Sequence, residues 1–233
     1  MVETGWGTVL MEAKVANIPL VLTDRAIDST DGSSYVTFMG SDFIEEEHKA
    51  GRWLVEIMKD NMGDMNIVEL QGAVGSAPAI DGKKGFEEII ETDPRFKIIR
   101  SRTGDFTRAK GEEVMEAFPR VDGNTINMLY AANDNDNDND NMATGAIQAL
   151  EETGLNPARN ISIISIDGVK GPFDVTMEAE LNVSVECSPL LGPQLMSAVK
   201  NVKASKTLAK RIVAVETIFP MEAAVQEFLT RKY

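Results

Sequence analysis

The feature of this chain that most constrains its fold is a regular alternation of short apolar runs with amphipathic stretches. Runs rich in branched apolar residues recur about every 30 residues, with one helical pattern between most successive runs. That rhythm is typical of βαβ units and predicts an α/β protein with doubly wound parallel sheets. The predicted strands are 18–24, 35–38, 66–70, 97–101, 126–131, 161–167, 183–187 and 211–219. The predicted helices are 7–15, 43–59, 80–91, 107–118, 142–152, 170–180, 189–203 and 222–231.

Two of the predicted strands end in charged residues, and these ends indicate a ligand site. Asp24 and Arg25 follow the run 18–23, which reads as a strand buried on both faces, and Asp167 closes the run 162–166. Ligands of open α/β sheets bind just beyond the carboxyl ends of the strands, where a carboxylate and a guanidinium can grip a small polar molecule. The alternative is that each Asp only caps the turn or helix that follows it.

Composition excludes several classes of partner. The chain has 23 Lys and Arg against 37 Asp and Glu, a formal net charge of −14, which argues against nucleic acid and anionic membranes as partners. No apolar run approaches the roughly 18 residues of a membrane span, and the first residues do not resemble a signal peptide. The single cysteine, Cys187, excludes an internal disulfide.

Signals for catalysis are poor. The one histidine, His48, lies in a charged stretch and is interpreted as a solvated residue on a helix face. The sequence has no Cys/His cluster for zinc, no G-x-S-x-G elbow and no glycine-rich phosphate loop after a strand. We therefore predict a protein that binds without reacting: not an enzyme, with no cofactor and no metal.

One tract breaks the pattern, because residues 133–141 alternate strictly between Asn and Asp. The tract has no apolar side chain whose burial could offset the entropy of ordering it, so it is predicted to be a solvated, mobile loop. An EF-hand loop also alternates oxygen ligands, but it needs Gly at its sixth position and Glu at its twelfth. No register of the tract supplies both, so no calcium site is predicted.

A series of motifs occurs in one order along nearly the whole chain. They are the segments 6–24, 67–72, 83–86, 104–108, 110–111, 142–145 and 165–168. Each motif alone is weak, but together they resemble the periplasmic sugar-binding proteins of bacterial ABC importers. The likeness is to the ribose/galactose-type group, and most of all to its galactofuranose-binding members.

The resemblance implies a fold, partners and a location. It implies two doubly wound lobes joined by crossings of the chain, with a sugar between them. The first lobe would comprise 1–41 and 188–210, and the second 42–187 and 211–233. The partners would be a monosaccharide and the membrane permease of an ABC importer, with no nucleic acid, and the location would be the periplasm.

The resemblance also implies sugar contacts, residue by residue. The matched positions are Asp24, Arg25, Phe106, Asn133, Asp167 and Glu186. The Asp-Arg pair binds ring hydroxyls in the family, and the aromatic residue stacks on the apolar face of the sugar. Asn133 acts with Asp134, and Cys187 is an alternative to Glu186. The chemistry agrees, since charged planar groups pair with neighbouring hydroxyls and an aromatic face covers C–H groups.

The chain departs from the family pattern within the second lobe. Gly82 stands where the family usually has an arginine that contacts the sugar. Losing such a charged donor would cost about 1.5–3 kcal/mol of binding free energy. The repeat lengthens the stretch before Met142, so the amide contact falls either on Asn133 or on Asn139.

The largest departure concerns the first lobe. Family members carry a long segment before the equivalent of Trp6, so the second lobe is expected to be complete and the first lobe truncated. The resemblance therefore implies that the truncation impairs sugar binding by this chain. A sheet without its central strands exposes unpaired edges and apolar faces, which favour association with another chain. The alternatives are a fragment of a longer protein, an incorrectly assembled sequence, and an incomplete lobe that a partner completes, for example in a homo-oligomer.

Other functions fit parts of the sequence. The sugar-sensing core of a LacI-type transcription regulator shares the two-lobed fold, although nothing basic precedes Trp6. An enzyme on a doubly wound sheet would need nucleophiles and bases that the chain lacks. A truncated relic that binds nothing is the remaining alternative.

Overall fold

The computed structural model of this chain describes residues 5–27, 32–122, 125–132, 141–168 and 181–223. The strands are β1 (Val21–Thr23), β2 (Thr37–Gly40), β3 (Met65–Gln71), β4 (Phe96–Thr103), β5 (Met128–Ala131), β6 (Ser162–Asp167), β7 (Val183–Glu186), β8 (Arg211–Val213) and β9 (Ile218–Pro220). The helices are α1 (Gly7–Val15), α2 (Phe43–Ile57), α3 (Ala77–Ile90), α4 (Arg108–Asp122), α5 (Met142–Glu152) and α6 (Gly192–Lys203). Strands and helices alternate along most of the chain, as the apolar periodicity predicts.

The chain divides into two compact units, each formed from more than one stretch of sequence. The first unit contains Met1–Asp42 and Ser188–Val215, and the second contains Phe43–Cys187 and Glu216–Tyr233.

The first unit contains a parallel three-stranded sheet in the order β1-β2-β8. Its small core includes Met39 from β2 together with Leu191 and Ala198 beside and within α6. The expectation that the run before Asp24 is buried on both faces is wrong, because Val21 and Leu22 are only half-buried and Thr23 is exposed. The physical reason is that β1 lies at the edge of the sheet and pairs only with β2 among the described strands.

The predicted strand 211–219 is also wrong, since the structure has two strands there. β8 pairs in parallel with β2 in the first unit, with Phe38 opposite Arg211 and Gly40 opposite Val213. β9 instead pairs antiparallel with β7 in the second unit. The first unit therefore extends to Val215 rather than ending at residue 210, because the hydrogen bonds of β8 tie this stretch to β2.

The second unit is built on a six-stranded sheet in the order β4-β3-β5-β6-β7-β9. Neighbouring strands are parallel except for the last pair, β7 and β9. One core cluster packs α2 and α3 on the sheet and includes Leu54, Phe86 and Tyr130. The other packs α4 and α5 on the sheet and includes Met115 and Leu150. These helices confirm the predicted doubly wound α/β fold.

Local signals explain where two helices of the second unit begin. Ser76 caps α3 by accepting a hydrogen bond from the backbone N–H of Ala79 at 3.4 Å, and Pro78 occupies the first turn. Asn141 caps α5 through Oδ1, which accepts from the N–H of Thr144 at 3.1 Å. Residue 141, the last of the Asn-Asp repeat, is a buried helix cap, so the prediction of a solvated loop is wrong for this residue.

Several predictions lie outside the described residues. They are the loop 133–140, the helix 170–180 and most of the helix 222–231. Among the described helices, none has the length and apolar character needed to cross a membrane.

Candidate functional site

The carboxyl ends of five parallel strands of the second unit lie along one edge of its sheet. Phe106 lies just beyond the end of β4, while Asp167 and Glu186 are the last residues of β6 and β7 and oppose each other in register. Asn133, which follows Ala132 after β5, lies outside the described residues. The topology thus brings three predicted site residues to the edge where ligands of such sheets bind.

Phe106 is held in an unusual backbone conformation. Asp105 and Phe106 both have positive φ angles, 56° and 58°, in the left-handed region that residues other than glycine rarely adopt. The hydroxyl of Thr103 stabilises the turn, since it donates to the carbonyl of Gly72 at 2.8 Å and accepts from the N–H of Asp105 at 3.1 Å. The half-buried ring packs against the core cluster of α4 and α5. An aromatic ring held this firmly is suited to stacking on a ligand.

Glu186 has a structural role at the same edge. Its Oε2 accepts a hydrogen bond from the N–H of Thr217 at 3.0 Å, and its own N–H donates to the carbonyl of Thr217 at 2.8 Å. These bonds tie the end of β7 to the stretch that leads into β9. Glu186 therefore has one carboxylate oxygen engaged with the backbone.

Asp24 and Arg25 lie at the end of β1 in the first unit. Asp24 has a φ of 70°, and its N–H donates to the carbonyl of Met39 at 3.0 Å. Its carboxylate lies 3.6 Å from Nε of Arg25, and the Asp24 side chain is 69% exposed. The Arg25 side chain is only 28% exposed. An ion pair with one partner largely in solvent contributes little to stability.

Comparison with known proteins identifies the family. The model of the family described as "Periplasmic binding protein domain" matches residues 1–185. The galactofuranose-binding protein YtfQ of Escherichia coli (strain K12) is 43% identical, over 100% of this chain and 71% of its own length. The chain belongs to the periplasmic binding protein family. Members of this family are substrate-binding proteins, which confirms the prediction of a binding protein rather than an enzyme.

Solved structures of this family have the same fold. The periplasmic binding protein of the arabinose ABC transporter from Shewanella sp. ANA-3, bound to L-arabinofuranose, superimposes with a TM-score of 0.90 and 42% identity. That match covers 99% of this chain and 74% of the other. A protein from Mycobacterium smegmatis in complex with β-D-fucofuranose gives a TM-score of 0.89 and 41% identity, covering 98% and 73%. These relatives support the importer interpretation over a LacI-type regulator core.

A buried carboxylate in this periplasmic binding protein was missed by the sequence analysis. Glu69 on β3 is fully buried, and its Oε2 accepts hydrogen bonds from Nζ of Lys83 and Nε2 of Gln71, both at 3.1 Å, and from the hydroxyl of Ser101. Burial acts to lower the pKa of Lys83, but the charge and hydrogen bond of Glu69, aided by Glu87, outweigh it and raise that pKa. The sequence feature that could have indicated this buried carboxylate is a single Glu within a predicted strand of mostly apolar residues.

The surroundings of Gly82 are acidic. A Cβ atom at this position would lie 2.9 Å from Oε1 of Glu47, a buried residue of α2. Tyr130, stacked on Phe86 with ring centroids 3.8 Å apart, lies close to the same carboxylate. Burial, foremost, and the charge of Glu47 raise the pKa of Tyr130 well above its usual value. The structure thus places the Glu47 carboxylate beside the position where the family resemblance implies an arginine.

His48 is not a solvated residue on a helix face, so that prediction is wrong. Only 22% of its side chain is exposed, and Nε2 lies 2.8 Å from Oε2 of Glu88. Its Nδ1 lies 3.4 Å from Oε2 of Glu45. The imidazole is partly buried because it bridges α2 and α3, a contact that the local sequence does not reveal.

Two groups of side chains in the described part of the protein bring potential metal ligands within 4.8 Å of one another. They are Glu46, Cys187 and Glu216, and Glu112, Glu116 and Glu152. The second group lies on the surfaces of α4 and α5, where acidic side chains commonly cluster without an ion. We assign no metal to either group.

Proposed function

We propose that this protein binds a monosaccharide in the periplasm and delivers it to the permease of an ABC importer. The proposed sugar contacts are Asp24, Arg25, Phe106, Asn133, Asp167 and Glu186. The observation that carries the proposal is the carboxyl edge of the second sheet, which holds the rigid Phe106 turn and the register pair of Asp167 and Glu186. A sugar presents C–H groups that an aromatic face can cover and hydroxyls that carboxylates can bind. Residues of both kinds lie along this edge of the sheet.

We propose a furanose as the sugar. The named ligands of relatives above 40% identity are galactofuranose, β-D-fucofuranose and L-arabinofuranose, all of them five-membered rings. The binding site of this chain lacks a charged donor at Gly82, so we expect its affinity to be lower than that of a site with arginine there.

Isothermal titration calorimetry with galactose, L-arabinose, D-fucose and ribose, each of which equilibrates with its furanose forms in water, tests this function. We expect heat from at least one sugar that forms a furanose. Asp24→Ala and Asp167→Ala should each lose about 1–3 kcal/mol of binding free energy, because hydroxyls then lack a partner. Glu151→Ala, on the exposed surface of α5, is the matched control and should bind like the wild type. Absence of heat from every sugar would contradict the proposal.

We further propose that the first unit associates with a second copy of this chain. Its helix α1 buries only Leu10, whereas Met11 is 67% and Val15 is 77% exposed. Exposed apolar side chains on one short helix favour self-association. Sedimentation velocity should give a dimer for the wild type and a monomer for Met11→Lys/Val15→Lys. A monomeric wild type at high concentration would contradict this proposal.

A further inference from the structure

Gly72 lies directly after β3, and the ring of Phe106 rests on its α-carbon. A Cβ atom built on Gly72 would overlap Cε1 and Cζ of Phe106 and lie 2.9 Å from Cδ1. The φ angle of Gly72 is outside the left-handed region, so the backbone there would accept any residue. The three nearest heavy atoms that a Cβ would meet at position 72 all belong to the aromatic ring.

The ring has little freedom to move away from Gly72. The backbone of Phe106 is left-handed, and the N–H of Gly104 donates to the carbonyl of Gln71 at 2.7 Å. The hydroxyl of Thr103 donates to the carbonyl of Gly72 itself. These bonds join the ends of β3 and β4, so the turn that carries Phe106 is hydrogen-bonded to Gly72, the residue that its ring contacts.

We infer that Gly72 is a positioning residue for the aromatic platform of the sugar site. Because position 72 has no side chain, the ring of Phe106 packs directly against the backbone at the end of β3. A side chain at position 72 would lift or tilt the ring into the space that the sugar is proposed to occupy. This inference rests on the proposed function, since Phe106 is a proposed sugar contact.

The position of the ring can be tested without any sugar. An aromatic ring stacked on a glycine shifts the resonances of its α-protons upfield, so the α-protons of Gly72 should be strongly shifted in the wild type. The shift should disappear in Phe106→Leu, a variant that keeps apolar bulk but has no ring. An unshifted Gly72 in the wild type would overturn the inference.

The role in binding is tested with Gly72→Ala. We expect it to weaken binding of the sugar that the wild type binds by at least tenfold, with cooperative unfolding retained. The matched control is Gly63→Ala, because a Cβ there meets Oδ1 of Asn61 at 3.4 Å, an ordinary contact. The control should bind like the wild type.

A double-mutant cycle separates an effect through the ring from a general loss of structure. In a Phe106→Ala background, Gly72→Ala should cause little further loss of affinity, since it acts only through the missing ring. The same double variant should fold if Gly72→Ala alone does not, because the clash has been removed.

The outcomes distinguish the inference from the function beneath it. Equal sugar affinities of the wild type and Gly72→Ala would overturn the role of Gly72 and leave the proposed function standing. The same holds if Gly72→Ala lowers the affinity of Phe106→Ala as much as it lowers that of the wild type. A wild type that binds no sugar overturns both.

Discussion

Nζ of Lys83 lies 3.1 Å from Oε2 of Glu69, whose side chain is completely buried. Removing one partner of a buried pair leaves an uncompensated charge, which costs several kcal/mol where both groups are fully enclosed. The Lys83 side chain is 36% exposed, so water and salt screen part of this interaction.

We therefore expect Lys83→Met to lower the free energy of unfolding by about 1–3 kcal/mol, less than for a fully buried pair. Urea denaturation at pH 7 measures this change. The matched control is Lys84→Met, because Lys84 faces the exposed Glu88 at 3.8 Å and should contribute little. The double variant Glu69→Gln/Lys83→Met should recover most of the unfolding free energy that Lys83→Met loses, because the unpaired buried charge is then removed. Equal stabilities of the two single variants would contradict this prediction.

The raised pKa of Tyr130 predicts a loss of stability in alkali. The folded state holds the phenolic proton to a higher pH than the unfolded chain, whose value is near 10.0. The contribution of the Tyr130 phenol to the free energy of unfolding is therefore fully present below about pH 10 and is lost as pH rises above it. The pKa of Lys83 is also raised, from an ordinary value of 10.5, so deprotonation of Lys83 in alkali lowers stability in the same direction.

Tyr130→Phe has no phenol to titrate, so between pH 9 and pH 11 its melting temperature should fall less than that of the wild type. Thermal melts across this range, each referred to the same protein at pH 7, check the prediction. A steeper alkaline fall in the variant would show that the phenol does not carry the effect.

Close packing of α4 and α5 depends on Gly145. A Cβ atom there would run into the carbonyl oxygen of Arg108 and lie 3.0 Å from the N atom of Glu112. Because backbone atoms cannot rotate aside, Gly145→Ala should lower the free energy of unfolding by about 1–3 kcal/mol, the usual cost of overpacking. Gly192→Ala, in the first turn of α6, meets no atom within 4 Å and is the control. Guanidinium denaturation measures the free energy of unfolding of both variants. Equal values would show that the interface between α4 and α5 adapts to the added methyl group.

The Asn-Asp repeat should tolerate shortening. Its flanks are fixed, since Ala132 is buried after β5 and Asn141 caps α5. Deleting residues 135–140 restores the family's Asn-Asp-x-Met spacing and leaves both flanks in place. Because a shorter loop has less closure entropy to lose, the melting temperature should stay the same or rise. A fall of many degrees in differential scanning calorimetry would show that the tract is packed.

Gly82→Arg should strengthen sugar binding by roughly one to two orders of magnitude, as expected for a restored charge-assisted hydrogen bond. The 2.9 Å approach of a Cβ to Oε1 of Glu47 is cheap to relieve, because that oxygen lies at the end of a flexible side chain. Gly82→Met adds similar length without charge and should give no gain. If both variants bind alike in calorimetry, Glu47 has captured the arginine and the prediction is wrong.

Local sequence was sufficient to predict the order of the elements and the class of the fold. Apolar periodicity is set by neighbours along the chain, so it located the strands from β3 to β7 and the helices α2 to α5. The motifs from Trp6 to Gly168 were likewise sufficient to predict the family. The sequence also placed Asp24 and Asp167 at strand ends, and the family resemblance implied Phe106 and Glu186 as sugar contacts. The observed sheet order then places Phe106, Asp167 and Glu186 along one edge.

Only the tertiary structure decided which charged residues are buried and which apolar strands are not. Helices and strands distant in sequence bury Glu47 and Glu69, and His48, predicted to be solvated, is partly buried between α2 and α3. The opposite holds at β1, where an apolar run remains partly exposed because it is an edge strand. The ring of Phe106 upon Gly72 depends in the same way on how two strand ends meet. Burial and contact arise from pairing between distant segments, and sequence periodicity records only the neighbours of each residue along its own element.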